Sequence, residues 1–136
     1  MFLSSRIYGG YEKLKNSTVL KSPEPFPYEY GFSVKWLVEA QINQMKNGGK
    51  VLDSRAGDLN YNTVAPWIAW GPYLWTDGAN PRKTDGLAWL REDLANADGL
   101  HPSTSGEQKV GRMLLDFFKT DPTTKTWFAH SNSAKK

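Results

Sequence analysis

Seven residues near the middle of the chain, Ala65-Pro66-Trp67-Ile68-Ala69-Trp70-Gly71, are apolar without alternation. A half-buried strand alternates with period two. An unbroken apolar run therefore reads as a strand buried on both faces of a parallel sheet. A parallel strand needs a partner reached through a long crossover, usually a helix. Phe2-Leu3, running toward Arg6-Ile7-Tyr8-Gly9-Gly10, supplies that partner: it reads as the end of a short strand followed by a turn that glycine permits. Between the two, Val34, Leu37, Val38, Ile42 and Met45 fall at helical spacing, and Asn47-Gly48-Gly49 gives a stop signal. The spacing predicts a helix over 29–46.

Around these elements the chain reads as loops. Pro23, Pro25 and Pro27 alternate within residues 12–27 and push their predecessors away from helical geometry. Residues 47–63 are rich in Gly, Asn and Asp. Gly71–Gly78 leaves the second strand as an aromatic loop, and Leu87-Ala88-Trp89-Leu90 suggests a short helix. A last helix follows, with Thr104 and Glu107 at capping-box spacing and an apolar stripe of Val110, Met113, Leu114, Phe117 and Phe118, ended by Asp121-Pro122. The order strand, helix, strand, helix defines the fold class as α/β, in a single domain over 1–128. Residues 129–136 are small and polar, and are expected to form a disordered tail.

Composition narrows the function classes. The 136 residues carry a net charge of +3, too small and scattered to point to nucleic acid. With no cysteine there is neither a disulfide framework nor thiolate chemistry. No apolar run is long enough for a signal peptide or a membrane span, so as written the chain is expected to be cytoplasmic, while a longer parent would be free to be secreted. Six Trp, six Tyr and six Phe imply a dense core or an aromatic-lined site.

Chemistry concentrates in Asp98-Gly99-Leu100-His101-Pro102-Ser103. A carboxylate and an imidazole three residues apart in a turn can point into one cleft. The carboxylate then fixes the imidazole tautomer and stabilises the imidazolium formed when the ring takes a proton. With Gly106 and the apolar helix ending Leu114-Leu115-Asp116-Phe117-Phe118, this block resembles the closing block of SGNH/GDSL-type ester hydrolases. Phe2-Leu3-Ser4-Ser5-Arg6-Ile7-Tyr8, Gly31-Phe32-Ser33-Val34-Lys35-Trp36-Leu37 and Pro66–Trp75 resemble the second half of bacterial SGNH-like proteins.

The resemblance implies a partial three-layer, flavodoxin-like SGNH fold, a short parallel sheet flanked by helices, with Asp98 and His101 as two members of a catalytic triad. The family's Gly-Asp-Ser-like nucleophile motif and its Gly-x-Asn-Asp block are absent, and Gly57-Asp58-Leu59-Asn60 has the wrong spacing for the latter. The expectation is a C-terminal half whose missing blocks would precede Met1.

The candidate catalytic residues are thus Asp98 and His101, with Ser4 or Ser5 at a strand end as substitute nucleophile, or water activated directly by His101. Ser4 and Ser5 also read as a strand-end polar pair, and Ser103 and Ser105 as helix caps. Arg6, Tyr73, Trp75 and Trp89 are the candidate substrate-binding residues. Trp67 and Trp70, inside the strand, read as core. Arg82 reads as solvated surface charge. A metal held by Asp98, His101 and Asp77 or Asp85 is the less favoured alternative, and neither metal nor cofactor is expected.

Two strands with two helices cannot cover both faces and both edges of a sheet, so a homodimer or larger assembly is expected to complete it. The expected activity is hydrolysis of small activated esters. The alternative is an inactive truncated module that self-associates or binds carbohydrate.

Overall fold

The computed structural model describes residues 1–12 and 25–128. The loop expected at 12–27 lies largely, and the tail expected at 129–136 wholly, outside the described residues. What is described is mixed α/β, with a two-stranded parallel sheet and three α-helices.

Strand β1 (Phe2–Leu3) pairs in parallel with β2 (Ala69–Trp70), Phe2 opposite Ala69 and Leu3 opposite Trp70. The Ala69 N–H donates to Met1 O at 3.1 Å and the Gly71 N–H to Leu3 O at 2.7 Å, while the terminal ammonium donates to Trp67 O at 2.7 Å. The ladder is shorter than the apolar run that announced it. Ile68 is buried, but Trp67 is 41% exposed. The reading of 65–71 as a strand buried on both faces, with Trp67 in the core, is therefore corrected. Only two residues of β1 reach β2, so Trp67 falls beyond the ladder. There its ring meets Phe2 edge-on at 5.8 Å, and Phe2 in turn meets Phe117 at 5.0 Å. Trp70 is half-buried.

Helix α1 (Phe26–Lys46) makes the crossover and packs on β2. It begins three residues earlier than the periodicity implied. Pro27 sits in the first turn, where a missing N–H leaves nothing unsatisfied. Gly48 and Gly49, at φ 72° and 80°, adopt the left-handed conformation that ends it.

The inward stripe also differs from the expected one. Leu37 and Ile42 are exposed, whereas Val38, Gln41 and Gln44 are buried. Gln41 Nε2 donates to Leu59 O and Pro66 O, and Gln41 Oε1 accepts the Ile68 N–H at 2.8 Å. Gln44 Nε2 donates to Gly49 O and to Asp58 Oδ1, while its Oε1 accepts the Leu59 N–H. Two fully hydrogen-bonded glutamines thus fasten the helix to the irregular segment 58–68, satisfying backbone groups that would otherwise be costly to bury.

Beyond β2 the chain is irregular until helix α2 (Thr104–Thr120), followed by the short α3 (Lys125–Phe128). The helix expected at Leu87–Leu90 is absent. A single 3-10 turn, Arg91–Asp93, takes its place. The reason is Trp89, whose side chain is fully buried with Tyr8, Tyr11 and Leu94, flanked by Ile7, Leu87 and Val110. Its Nε1–H donates to Leu74 O at 2.6 Å, and the Tyr11 hydroxyl donates to Trp89 O at 3.2 Å. Packing this one ring fixes the local backbone more strongly than helical propensity does.

Candidate active site

The turn that carries Asp98 and His101 is built on the residues just before it. Asp93 is completely buried. Its Oδ2 accepts the Leu90 N–H at 2.9 Å and forms an ion pair with Lys109 Nζ, while its Oδ1 accepts the Ser105 hydroxyl at 2.7 Å. Burial pushes the Asp93 carboxyl up, but the bonds from Lys109, Ser105 and the Leu90 N–H outweigh it and hold the group below its ordinary value. Asp93 O accepts the Ser103 N–H at 2.9 Å, and the Ser103 hydroxyl donates to Glu92 O at 2.5 Å.

Ser103, with extended backbone, is the N-cap of α2, and Thr104 is its first residue. The capping box expected from Thr104 and Glu107 does not form: Ser103 caps instead, its hydroxyl accepting the Gly106 N–H, and glycine at that position has no side chain to return the bond. Ser105 does not cap: it bonds to Asp93. A Cβ on Gly106 would stand 2.1 Å from Asp93 O, so only glycine lets the helix approach this closely.

Between Leu94 and Pro102, which face each other as an isolated antiparallel bridge, the chain makes its excursion. The Ala95 N–H donates to His101 O at 2.7 Å and the Gly99 N–H to Ala95 O at 2.8 Å. Asp98 Oδ1 accepts two backbone donors, Leu100 N–H at 2.8 Å and His101 N–H at 3.1 Å. This leaves Oδ2 to meet His101 Nδ1 at 2.5 Å. The His101 bond, followed by the two backbone bonds, holds the Asp98 carboxyl at about 2. Asp98 is thus ionised at any working pH, and its charge faces the ring nitrogen. The imidazole is 77% exposed, so the rest of the ring is open to solvent.

The remaining candidates distribute unevenly. Ser4 Oγ–H donates to Pro72 O at 2.7 Å. Ser5, buried, accepts the Leu74 and Trp75 N–H groups at 2.8 and 3.0 Å. Both hydroxyls tie the β1 end to the loop after β2, and the ring of His101 bonds to neither. Trp89, expected to bind substrate, is core, and that reading is overturned by its complete burial.

Trp75 is half-buried and Arg6 is exposed. Tyr73 is exposed at 44%, beneath Arg82, whose guanidinium lies 5.6 Å from the ring centre. Arg82 is not a solvated surface charge. It pairs with Asp85 and donates to Tyr73 O and Trp75 O, clamping the aromatic loop. Asp77 accepts from Asn80. Among the described residues no three His, Asp or Glu side chains gather where an ion could sit. A cleft of about 1000 Å³ runs between the 72–87 loop and α2 and is lined by Tyr73, Arg82, Lys109, Arg112 and Phe117, among others. Asp98 and His101 do not line it.

No family model, no curated protein and no solved structure gives a significant match to the chain. No helix among the described residues is long and apolar enough to cross a membrane.

Proposed function

We propose that this chain hydrolyses small activated esters, with His101 as general base and Asp98 as the residue that orients it. On this reading the fold is the C-terminal half of an SGNH-type α/β layer, and its sheet is completed by a second copy. The observation that carries the proposal is the 2.5 Å contact between Asp98 Oδ2 and His101 Nδ1, made by a carboxylate that two backbone N–H groups already hold in place.

With Nδ1 engaged, Nε2 is the nitrogen left to act. It takes a proton from a water whose oxygen adds to the ester carbonyl carbon. The tetrahedral intermediate then expels the alkoxide or phenoxide, which recovers that proton from the imidazolium, giving one acid and one alcohol. Water is the favoured nucleophile because the hydroxyls of Ser4 and Ser5 are committed to backbone partners.

The test is hydrolysis of a nitrophenyl ester. Wild type, Ser4→Ala and Ser5→Ala should show similar rates, provided the variants fold, and both His101→Ala and Asp98→Asn should lose activity. Equal rates for wild type and His101→Ala would end this reading. The alternative, a non-catalytic self-associating module, draws on the exposed aromatics Trp67, Trp127 and Phe128. It predicts no turnover that depends on His101.

A further inference from the structure

A second groove lies between α1 and the 52–59 loop, on elements that contribute nothing to the Asp98–His101 turn. It encloses about 770 Å³ and is lined by Trp36, Leu37, Leu52, Glu39, Asp53 and Arg55, among others. Trp36 is 60% exposed, although an indole is among the costliest side chains to leave in water. Phe32, one turn earlier and 49% exposed, lies against it with ring centres 5.8 Å apart and planes 25° from parallel. Together they form an aromatic shelf on the solvent side of a helix whose Val38 and Gln41 are anchored inward.

The polar wall is equally ordered. Arg55 donates from Nε to Asp53 Oδ1 at 3.0 Å and from Nη2 to Asp53 Oδ2 at 2.7 Å, and its backbone N–H also reaches Oδ1. These bonds hold the Asp53 carboxyl at about 2, so the fork stays charged and planar. Glu39 pairs with Lys35 at 2.7 Å on the neighbouring rim. Ala40, Ala56 and Gly57 leave the floor low, and a Cβ on Gly57 would meet nothing within 4 Å.

We propose that this groove binds a neutral oligosaccharide of two or three pyranose units. A pyranose ring has an apolar C–H face that suits an exposed aromatic shelf. Its hydroxyl rim both donates and accepts, which suits a fixed carboxylate and guanidinium side by side. Both carboxylates of the lining are paired, Glu39 with Lys35 and Asp53 with Arg55, so the groove carries no net charge to draw phosphates or acidic sugars. A second protein helix would be set against an ion pair it would have to desolvate. The volume lies within the usual range for small-ligand clefts, roughly 300–1000 Å³.

The test is an array of immobilised neutral and acidic oligosaccharides probed with wild type, Trp36→Ala, Trp36→Phe and Asp53→Asn, followed by fluorescence titration of the tightest glycan. Trp36 is mostly solvent-exposed, so its replacement should leave the thermal transition in place. Binding of a neutral glycan should weaken at least about tenfold in Trp36→Ala and less in Trp36→Phe. Nitrophenyl ester hydrolysis should not change in Trp36→Ala, which separates this site from the dyad. The proposal is overturned if no neutral glycan binds, if Trp36→Ala binds as wild type does, or if Trp36→Ala instead converts an oligomer into a monomer in light scattering.

Discussion

Asp98 grips His101 twice: Oδ1 accepts the His101 backbone N–H at 3.1 Å, and Oδ2 meets the ring Nδ1 at 2.5 Å. One carboxylate therefore fixes both the backbone of the turn and the orientation of the ring. Removing its charge should loosen both. Asp98→Asn should lower His101-dependent ester hydrolysis by about 100–10,000-fold, the usual scale of a positioned general base. Steady-state rates of wild type and Asp98→Asn check this.

The acid limb of any pH profile follows from the same pair. The Asp98 carboxyl sits at about 2, below the ordinary value near 4. Its native interaction is therefore fully present above about pH 4 and fades as pH falls toward 2. Between pH 4 and 9 Asp98 should add no inflection to the rate.

Gly99 is the residue on which this geometry depends most. Its φ is 67°, and a Cβ there would stand 2.1 Å from Tyr11 O. Gly99→Ala combines roughly 1–2 kcal/mol of left-handed backbone cost with a clash that the turn must move to relieve. Activity should fall as far as in Asp98→Asn, with a lowered thermal midpoint measurable by calorimetry.

Two buried groups should dominate stability. Trp89→Ala empties the core beneath the 72–78 loop and should cost about 3–5 kcal/mol in denaturant titration. Lys109→Met leaves the buried Asp93 carboxylate with only Ser105 and the Leu90 N–H. Because Lys109 is 33% exposed, a loss of about 2–3 kcal/mol is expected, below the range for a fully buried pair. The cost should shrink below pH 4, where Asp93 in the unfolded chain takes up its proton.

Self-association should run through the sheet. Among the described residues β1 has β2 as its one neighbour, and the exposed Trp67 meets Phe2 edge-on at the end of that short ladder. Light scattering at micromolar concentration should give a dimer or larger assembly, and Trp67→Glu should give a monomer. A monomeric wild type would remove this expectation.

Helix existence was legible because periodicity and stop signals are local: 29–46 and the last helix were readable within a few residues of their true ends. The inward face of α1 was not, because Gln41 and Gln44 look solvent-facing until the backbone groups they satisfy in residues 49–68 are known. Trp89 misled for a similar reason. An aromatic residue near a candidate site has the same one-dimensional signature whether it lines a cleft or fills a core.

The sequence by itself determined that a carboxylate and an imidazole would share a glycine-containing turn ahead of an amphipathic helix, since spacing and turn chemistry are written residue by residue. Only the tertiary structure decided that Oδ1 is spent on the backbone so that Oδ2 faces the ring, that Ser4 and Ser5 are committed to the 72–75 loop, and that a buried Asp93–Lys109 pair supports the whole turn. Those outcomes depend on which distant groups compete for each hydrogen bond, and that competition exists only once the chain has folded.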